Sequence, residues 1–450
     1  MALIATDQFR IVIGLGQTGL ACARYLAKKG WPFAVVDSRS EPPGAKELKA
    51  ELPDVELRCG DFDSHYLQQA AELIVSPGVA TSEPAIQAAI SAGVPVIGDI
   101  DLFCREVSAP IVAITGSNAK STVTTLVGEM ARSAGKRVGV CGNIGLPVLE
   151  MLQQPAMDLY VIELSSFQLE TTHELRAEVA TVLNISPDHL DRYPNMQAYY
   201  QAKHRIFRGC RHAVINCDDP LTAPLLPKDI PTVSYRLGCP DLKQFGLIQQ
   251  DGRQWLAQGP ELLLDVTELK IRGSHNIANA LAALALGQMS GLPMSAMLAA
   301  LRAFPGLEHR CQWVAEIAGV HYFNDSKGTN VGATLAALNG LGQTLTGEQK
   351  IILLAGGVGK GAEFSELAAP LAQYGRALVY FGQDGAQLAA EVGNIESFAA
   401  QSLPAAVGQA ARLAQPGDLV LLSPACASFD MFSGYPARGE VFVQAVEGLQ

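Results

Sequence analysis

The chain has 450 residues, too many for one ordinary hydrophobic core, and a domain length of ~100 to 200 residues predicts two to four domains. We take three as the working count. Hydrophobic residues make up 48% of the sequence and charged residues 17%, a composition typical of globular proteins rather than disordered chains. The net charge of -11 argues against a nucleic-acid-binding surface, so any anionic ligand must be held locally.

Cysteine usage and the start of the chain indicate the compartment. The nine cysteines are odd in number and scattered without a CxxC pair, so they predict neither disulfides nor a zinc site, and they fit a reducing cytosol. The start, MALIATDQFR, lacks the basic and long apolar segments of a secretory signal. The most apolar helical segment, residues 277–286, is too short to cross a bilayer. We expect a soluble cytoplasmic protein that contacts no membrane.

Apolar runs of strand length recur with helical segments between them, which predicts an α/β fold of parallel sheets covered by helices on both faces. The runs are 11–13, 34–36, 73–75, 111–114, 160–162, 181–183, 213–215, 351–354, 378–381 and 419–422. The predicted domains are 1–98, 99–304 and 305–450, the last beginning at a Pro-Gly pair that suits a hinge. The segment 227–268 is strand-like and turn-rich, and no role follows from its sequence.

The first predicted strand ends in a glycine-rich turn. Gly14, Gly16 and Gly19 form a GxGxxG pattern, and Asp37 ends the next strand at about the distance expected of an acid that binds a ribose. Taken alone, this pattern favours NAD or FAD. The alternative is that the glycines serve only to let a helix pack closely.

The strongest chemical signal is IVAITGSNAKST, residues 111–122, in which a buried-type strand runs through a small-residue loop into a helix. The apolar positions of that helix fall on one face. They are Val123, Leu126, Val127 and Met130. Such a corner points free N–H groups and the positive helix end at a phosphate. Lys120 would reach the outer phosphates and the Ser121 hydroxyl would bind Mg²⁺.

The strict GxxxxGK pattern fails at two positions, because Ile114 and Ala119 occupy the glycine places. A positive φ at Ala119 would cost roughly 1 to 2 kcal/mol. We therefore expect Ala119 to begin the helix. An ordinary strand-loop-helix corner is the alternative interpretation of this segment.

Glu163 follows a second strand, residues 159–162, at the strand end where ligands of doubly wound sheets collect. Its carboxylate can bind the metal of a nucleotide. A lone Glu after a strand is more often a solvated loop charge, so the interpretation depends on its pairing with the preceding loop.

Five motifs in chain order resemble those of the Mur ligase family of ATP-dependent amide-forming enzymes. They are TGSNAKST, ELSSFQLE, SPDHLDRY, GSHNIANALAA and NDSKGTN. With GLGQTG near the start and LSPACASFD near the end, the chain is most similar to the branch that adds D-glutamate, and the resemblance covers essentially all 450 residues. One departure is Ala119, where the family usually has glycine.

The resemblance implies an N-terminal Rossmann-like domain for a UDP-sugar, a central P-loop ATPase-type parallel sheet and a C-terminal Rossmann-like domain for the amino acid. It implies a ligase that adds D-glutamate to UDP-N-acetylmuramoyl-L-alanine through an acyl phosphate, releasing ADP and phosphate in peptidoglycan precursor synthesis. Another Mur-type amino-acid ligase is the alternative, although the last domain lacks the DNPR segment of the diaminopimelate-adding relative. We expect a monomer with small-molecule substrates and no nucleic acid.

The resemblance also implies the ligand-binding residues. For ATP they are Gly116, Ser117, Asn118, Ala119, Lys120, Ser121, Thr122, Asn276, Asn279, Arg310, Asp325 and Lys327. For the UDP-substrate they are Gly16, Gln17, Thr18, Asp37, Ser38, Arg39, Ser76, Asn143 and His189. For D-glutamate they are Thr329, Lys360, Ser428, Phe429 through its backbone, and Tyr435. As isolated residues, Asn276 and Asn279 could equally be helix caps.

Catalytic roles are implied for Lys120, Glu163, His189 and Lys203, and two Mg²⁺ ions for Ser121, Glu163, His189 and Lys203. Lys203 is expected to carry a carbamate formed from CO₂, a reaction that requires a neutral amine. Without the resemblance, Lys203 is one more exposed helix lysine and His189 a structural histidine.

Three rival functions belong to other classes. A nicotinamide-dependent oxidoreductase would explain the first glycine turn. It would leave unexplained the loop within residues 111–122, which we call the ATP loop. A non-catalytic nucleotide-binding switch would not need both an amino acid and a UDP-sugar. Folate polyglutamylation enzymes share the ATP domain but lack the N-terminal UDP-sugar domain.

Overall fold

The computed structural model describes residues 9–227 and 229–449, and it shows three sheets in chain order, each covered by helices. The prediction that the chain has no secretory signal rests on residues 1–10. Residues 1–8 of that segment lie outside the described residues. Within the described residues, no helix has the length and apolar character needed to cross a membrane.

The N-terminal unit is built on a fully parallel five-stranded sheet. Its elements are β1 (Arg10–Ile13), α1 (Gln17–Lys29), β2 (Phe33–Asp37), α2 (Ala45–Glu51), β3 (Leu57–Cys59), α3 (Ser64–Gln68), β4 (Glu72–Val75), α4 (Pro84–Ser91) and β5 (Val96–Ile97). The strand order is β3-β2-β1-β4-β5, so the order reverses between β1 and β4. Ligands of doubly wound sheets bind at such a reversal, which the turns after β1 and β4 border.

Glycine is required in the turn after β1 for two separate reasons. Gly14 has a φ of 89°, a conformation that L side chains rarely adopt. A Cβ on Gly19 would lie 1.8 Å from the carbonyl oxygen of Gly14, so α1 approaches the turn as closely as it does only because the side chain is missing. The turn therefore presents bare backbone to the cleft beside it.

The central unit contains a nine-stranded sheet in the order β14-β13-β12-β11-β10-β9-β6-β8-β7. Its elements are α5 (Asp99–Glu106), β6 (Ile111–Thr115), α6 (Lys120–Ser133), β7 (Val138–Gly142), α7 (Val148–Met151), β8 (Leu159–Glu163), α8 (Ser166–Glu170), β9 (Val179–Val182), α9 (Met196–His204), β10 (His212–Asn216), β11 (Thr232–Tyr235), β12 (Phe245–Gln250), β13 (Arg253–Gln258), β14 (Glu261–Asp265), α10 (Ser274–Met289) and α11 (Met294–Ala303). The segment 227–268 thus supplies four strands that widen this sheet.

The predicted apolar face of α6 is confirmed, because its four positions are all fully buried. They are Val123, Leu126, Val127 and Met130. These side chains share one core cluster with α10 and α11, which pack against α6. That packing holds the first turn of α6 rigidly at the end of β6.

The C-terminal unit has a six-stranded sheet in the order β15-β16-β20-β17-β18-β19. Its elements are β15 (Gln312–Ile317), β16 (Val320–Asn324), α12 (Val331–Gly342), β17 (Ile351–Gly356), α13 (Ala368–Tyr374), β18 (Gly375–Phe381), α14 (Gly385–Val392), β19 (Ser397–Ala399), α15 (Leu403–Leu413), β20 (Leu419–Leu422) and α16 (Tyr435–Glu447).

The prediction of parallel sheets is confirmed for the N-terminal sheet and for most strand pairs of the other two sheets, and it is wrong toward one edge of each of those two. Strands β12, β13 and β14 pair antiparallel, and so do β15 and β16. The β12–β13 and β15–β16 connections are tight turns, Asp251-Gly252 and Ala318-Gly319, in which all four residues have positive φ. Two such residues in succession form the turn that a two-residue hairpin prefers, and this local chemistry overrides the alternation of strand and helix.

Charged side chains also join the units outside the cavities described below. Arg105 on α5 donates to Glu72 at 3.1 Å and to Glu174 at 2.8 Å, linking the N-terminal and central units. Arg24 on α1 donates to Glu150 at 2.9 Å across the same boundary. Because these pairs are substantially exposed, each contributes only ~0 to 1 kcal/mol.

Candidate active site

Lys120 is the first residue of α6, directly after the loop that leaves β6. Its ammonium donates to the carbonyl oxygens of Gly116 and Ser117, both at 2.9 Å, and so curls back over its own loop. Burial lowers the pKa of Lys120, while the nearby Glu163 and Asp188 carboxylates oppose that shift. A partly buried cation held over a helix N-terminus is suited to bind the outer phosphates of a nucleotide.

The expectation that Ala119 begins this helix is wrong. Ala119 is the N-cap of α6 and has φ 65° and ψ -5°, the left-handed conformation. Its carbonyl oxygen accepts the first helical hydrogen bond, from the Val123 N–H at 3.0 Å. The loop reverses direction within one residue, so the backbone must take a conformation that costs alanine roughly 1 to 2 kcal/mol.

Replacing Ala119 with glycine should therefore stabilise the protein slightly. The strain of roughly 1 to 2 kcal/mol is relieved, and the greater freedom of glycine in the unfolded chain takes back ~0.5 to 1 kcal/mol. Ala134, at the other end of α6, has an ordinary φ of -79° and is the matched control, so Ala134→Gly should destabilise. Thermal denaturation of both variants checks the opposite signs; equal destabilisation would contradict strain at Ala119.

Glu163 ends β8 beside the ATP loop and is almost completely buried. Its Oε1 accepts a hydrogen bond from Asn143 Nδ2 at 2.8 Å, whereas Oε2 is buried with no hydrogen-bond partner among the described residues. A buried carboxylate oxygen without a partner is costly unless something binds it. Glu163 is thus no solvated loop charge.

The donor set around Glu163 fits a magnesium ion held together with a nucleotide. Over residues 9–227 and 229–449, no three His, Cys, Asp or Glu side chains converge as a metal cage. Mg²⁺ usually binds one or two carboxylates together with phosphate oxygens and water, rather than an all-protein cage. The unpartnered Glu163 oxygen and the neighbouring loop hydroxyl of Ser121 match that pattern.

Lys203 is not an exposed helix lysine. It lies near the end of α9 with 1% of its surface exposed, and its ammonium donates to the Gly116 carbonyl oxygen at 2.7 Å. The same ammonium lies over the Tyr199 ring, 4.6 Å from its centre. Burial, followed by the nearby Lys120 charge, lowers the pKa of Lys203 well below its usual value. The ammonium groups of Lys120 and Lys203 therefore donate to the same carbonyl oxygen, that of Gly116.

Asp188 and His189 lie in the loop that follows β9. His189 has a φ of 56°, and its ring meets the edge of the Phe167 ring at 4.7 Å. Burial lowers the pKa of His189, which favours the neutral imidazole that binds metals. Asp188 accepts a hydrogen bond from Lys360 at 2.8 Å. This loop of the central unit is therefore in direct contact with the C-terminal unit.

A cavity of ≈ 160 Å³ lies between the ATP loop, α10 and the C-terminal unit. Eight of the predicted ATP-binding residues line it: Asn118, Ala119, Thr122, Asn276, Asn279, Arg310, Asp325 and Lys327. The other four are outside its lining: Gly116 and Ser117 on the loop, and Lys120 and Ser121 in the first turn of α6. The alternative that the two asparagines cap α10 is wrong, because Gly273 is the N-cap and no side chain caps this helix.

Three charged residues of the C-terminal unit line this cavity. Arg310 donates to the Ser121 hydroxyl oxygen at 2.6 Å, which connects the two domains directly. Lys327 lies over the Tyr435 ring at 4.1 Å, and burial, followed by the Arg310 charge, lowers its pKa to about 8. Burial raises the pKa of Asp325 to about 7, against the hydrogen bond from Ser423. An anionic phosphate would favour the charged forms of Arg310 and Lys327.

The raised pKa of Asp325 makes the stability of the ligand-free protein depend on pH. A carboxyl whose folded pKa exceeds its unfolded value stabilises the fold fully below the unfolded pKa, and that contribution is lost as pH rises to about 7. The loss amounts to at most about 1.4 kcal/mol per pH unit in this interval. Asp325→Asn should therefore gain stability over the wild type between pH 5 and 7 and hold that gain at pH 8.

Denaturation midpoints at pH 5, 6, 7 and 8 measure this difference, with exposed Asp61→Asn as the matched control. The control should follow the wild-type curve at every pH. A gain for Asp325→Asn that is equal at pH 5 and pH 8 would rule out the proposed protonation.

A second cavity, of ≈ 550 Å³, opens between the N-terminal unit and the central sheet. Eight of the predicted UDP-binding residues line it: Gly16, Gln17, Thr18, Asp37, Ser38, Arg39, Ser76 and Asn143. Asp37 also organises its surroundings, because its carboxylate accepts hydrogen bonds from Leu15 N at 2.7 Å and from the Arg39 guanidinium at 2.6 Å. The Ser76 hydroxyl donates to the Gly14 carbonyl oxygen at 2.8 Å.

A third cavity, of ≈ 350 Å³, lies between the loop after β9 and the C-terminal unit. Among its lining residues are His189, Thr329 and Lys360. His189, predicted to contact the UDP-substrate, thus lines this cavity rather than the second one.

The five residues predicted for D-glutamate are not all gathered in the third cavity. Ser428, Phe429 and Tyr435 are absent from its lining, which includes Thr329 and Lys360. Ser428 is buried, and Phe429 is 76% exposed on the surface. Tyr435 begins α16, and its ring meets the His309 ring edge-on with the centres 6.2 Å apart. Its ring also lies beneath the Lys327 ammonium, so Tyr435 contacts a residue that lines the first cavity.

Two further residues carry no individual sequence signal: Asn330, which contacts the central unit, and Arg438, whose partners lie within the C-terminal unit. Asn330 exchanges hydrogen bonds with Asn118 of the ATP loop at 3.2 Å and donates to Asp188 at 3.1 Å. Arg438 is completely buried and donates to the Ser326 and Cys426 carbonyl oxygens, at 2.8 and 3.1 Å. Asn330 is the last residue of the motif NDSKGTN, and the many polar residues of that motif are the one sequence signal that could have identified it. Nothing in the sequence around Arg438 indicates a role for that residue.

These features define a class: a three-sheet α/β protein with cavities between its units, one of which is lined by the loop between β6 and α6. The chain belongs to the Mur ligase family. Family models match residues 8–98 (Mur ligase MurD-like, N-terminal domain), 114–287 (Mur ligase middle domain) and 309–426 (Mur ligase, glutamate ligase domain). The family uses ATP and Mg²⁺. The rival function of a nicotinamide-dependent oxidoreductase is therefore wrong.

Known relatives match along the whole length. The chain is 58% identical over 450 residues to the UDP-N-acetylmuramoylalanine–D-glutamate ligase of Pseudomonas aeruginosa, with 100% of both chains covered. The same-named protein of Nitrosococcus oceani is 54% identical over 440 residues, which cover 98% of this chain and 96% of the relative.

Solved structures share the fold at low identity. A pseudomurein peptide ligase type C from Methanothermus fervidus matches with a TM-score of 0.60 and 18% identity, covering 99% of this chain and 100% of the other. MurF ligase from Thermotoga maritima in complex with ADP matches with a TM-score of 0.60 and 14% identity, covering 99% of each chain.

Proposed function

We propose that this protein is the ATP-dependent ligase that joins D-glutamate to UDP-N-acetylmuramoyl-L-alanine in peptidoglycan precursor synthesis. The carrying observation is the first cavity, which Asn118 and Ala119 of the loop before α6 line together with Arg310 and Lys327 of the C-terminal unit. Lys120 and Lys203 both donate to the Gly116 carbonyl oxygen of the same loop. The full-length identity to relatives with that printed name supports the choice of amino acid and nucleotide.

Each cavity suits one substrate. We assign the cavity between the N-terminal and central units to the UDP-sugar, because bare backbone and Arg39 line it. The small cavity beside α10 takes ATP, with Arg310 and Lys327 facing the phosphates. The third cavity takes D-glutamate, with Lys360 as the cation for one carboxylate. Phe429 and Ser428 would contact the amino acid only after a rearrangement of the C-terminal loop.

In the proposed reaction a carboxylate oxygen of the L-alanyl residue attacks the γ-phosphorus of ATP, and the bond to the ADP oxygen breaks. The product is an acyl phosphate. The neutral amine of D-glutamate then attacks the acyl carbon, the carbon–oxygen bond to phosphate breaks, and the amine loses a proton. Alignment of the reactants and neutralisation of charge by Lys120 account for the acceleration. Glu163, Ser121 and His189 would hold Mg²⁺, which would supply further positive charge at the phosphates.

We further propose that Lys203 carries a carbamate. Its amine is almost completely buried beside Gly116, where an ordinary ammonium would be costly. Addition of CO₂ to the neutral amine, with release of one proton to solvent, would form an N–C bond and give a carbamate anion that could bind a second Mg²⁺ together with His189. The resemblance to the Mur ligase family, which implied a carbamate on Lys203, supports this assignment.

The remaining assignments are proposals of the same kind. We place the domain boundaries at 1–98, 99–304 and 305–450, where β5 ends at Ile97 and where α11 ends at Ala303. We propose that the protein acts as a monomer in the cytoplasm. All nine cysteines are free thiols, which suits a reducing compartment.

The test is phosphate release by the purified protein with ATP, Mg²⁺ and UDP-N-acetylmuramoyl-L-alanine, given one amino acid at a time. D-glutamate should support turnover, whereas L-glutamate, L-alanine and diaminopimelate should not. Turnover with another of these amino acids alone would identify a different Mur-type ligase. Phosphate release that needs neither amino acid nor UDP-sugar would refute the ligase assignment.

A further inference from the structure

Arg192 reaches from the central unit into the wall of the UDP-sugar cavity. It lies in the loop between β9 and α9, and its side chain is only 15% exposed. Its guanidinium donates to the carbonyl oxygens of Pro77 at 3.4 Å and Val79 at 3.1 Å. Both carbonyls belong to the turn after β4, and both residues line the cavity. Arg192 itself is not part of that lining, so it acts on the turn and not on a ligand.

The same guanidinium is fixed by a carboxylate. Nη2 of Arg192 donates to Glu170 Oε2 at 2.8 Å, and the Glu170 side chain is only 14% exposed. The other Glu170 oxygen accepts a hydrogen bond from the Tyr193 hydroxyl at 2.6 Å. Thr81 of the N-terminal unit donates to Glu170 Oε2 at 3.3 Å. Two charged groups with this little exposure and this many partners hold one geometry.

Arg192 is also connected to the loop that carries His189. Its guanidinium stacks over the Phe167 ring at 4.6 Å, and that ring meets the His189 ring at 4.7 Å. The backbone N–H of Arg192 donates to the His189 carbonyl oxygen at 3.0 Å. Arg192 and His189 are therefore joined by a backbone hydrogen bond and by contacts with the same ring.

A second contact runs from the same loop to the ATP loop. The Tyr193 ring packs on the Tyr199 ring with 5.4 Å between centres. The Tyr199 hydroxyl shares a hydrogen bond of 3.0 Å with the Ser117 hydroxyl on the ATP loop. Tyr199 is also the ring beneath Lys203. The turn at the UDP-sugar cavity is thus joined to the nucleotide loop by packed and hydrogen-bonded side chains.

We propose that Arg192 is a positioning residue that couples occupancy of the UDP-sugar cavity to binding at the ATP loop. A bound UDP-sugar fixes the 76–79 turn, the turn fixes Arg192, and Arg192 fixes the loop that places His189 and Tyr199. By linkage, nucleotide binding then tightens UDP-sugar binding by the same factor. The inference rests on the proposed substrates of this site.

The chemistry explains why arginine is required. The planar guanidinium of Arg192 donates hydrogen bonds to two carbonyl oxygens and to the Glu170 carboxylate, while its flat face lies on the Phe167 ring. Lysine preserves the charge but has neither the fork nor the flat face. Arg192→Lys therefore isolates geometry from charge, and it is less disruptive than removal of the side chain.

The experiment measures UDP-N-acetylmuramoyl-L-alanine binding to the full-length protein by calorimetry, with and without a non-hydrolysable ATP analogue and Mg²⁺. In the wild type the analogue should tighten binding about 5-fold or more, the lower end of typical allosteric coupling. In Arg192→Lys and in Glu170→Gln that ratio should fall below about 2-fold. Binding of the analogue alone should stay within about 2-fold of the wild type.

Arg105→Met is the matched control, because Arg105 also joins the N-terminal and central units through two carboxylates. It should keep the wild-type coupling ratio, which a general loosening of the domain interface would not predict. Coupling preserved in Arg192→Lys, or absent in the wild type, overturns the inference while leaving D-glutamate-dependent turnover intact. Loss of that turnover in the wild type overturns the proposed function instead.

Discussion

Lys120→Ala should lower the rate of D-glutamate-dependent phosphate release by about 100- to 1,000-fold. Removal of one preorganised donor from a site of developing charge typically costs roughly 2.7 to 4 kcal/mol of transition-state stabilisation. Lys120 fits that role because its ammonium lies over the Gly116 and Ser117 carbonyls at the start of α6, where phosphates bind. Steady-state phosphate release at saturating substrates measures the loss.

The variant should remain folded, since truncation also removes a cation whose pKa is already lowered by burial. Its thermal midpoint should lie at or above that of the wild type. Lys49→Ala, on the exposed face of α2, is the control and should leave the rate unchanged. Near-normal turnover by a folded Lys120→Ala protein would refute the role assigned to Lys120.

The features of this fold that follow from local sequence are those with a repeating pattern. The i, i+3, i+4, i+7 spacing of the α6 face and the apolar run of β6 are set by the backbone periods of helix and strand. Glu163 could be placed for the same reason, because a strand's end determines where the next side chain emerges. Fold class and the position of the nucleotide loop were therefore predictable.

Features that depend on tertiary contacts were not predictable from local pattern. The left-handed Ala119 is imposed by the reversal of the chain between β6 and α6, against the preference of the residue itself. Burial of Lys203 depends on Tyr199 beneath it and on Gly116, which is 87 residues away in the chain. The antiparallel edge at Asp251-Gly252 was predictable in principle, because this dipeptide is a strong hairpin signal.

Lys203→Ala should lower turnover by about 100-fold or more, and formate or acetate should restore part of it. The proposed carbamate is an anion beside the nucleotide, and its loss removes a preorganised charge of the kind that typically contributes roughly 2.7 to 4 kcal/mol. Truncation leaves a space next to Gly116 and Tyr199 that a small carboxylate can enter. Phosphate release is measured against carboxylate concentration at constant ionic strength.

Chloride at the same ionic strength controls for salt, and Lys120→Ala supplies the sharper comparison. Lys120 is assigned the role of a cation, and Lys203 that of an anion in its proposed carbamate form. In this structure both side chains are ammonium groups that donate to the Gly116 carbonyl oxygen. Carboxylates should therefore rescue only the Lys203 variant. Equal rescue of both would point to a general salt effect, and no rescue of either would leave Lys203 as an ordinary buried amine without a carbamate.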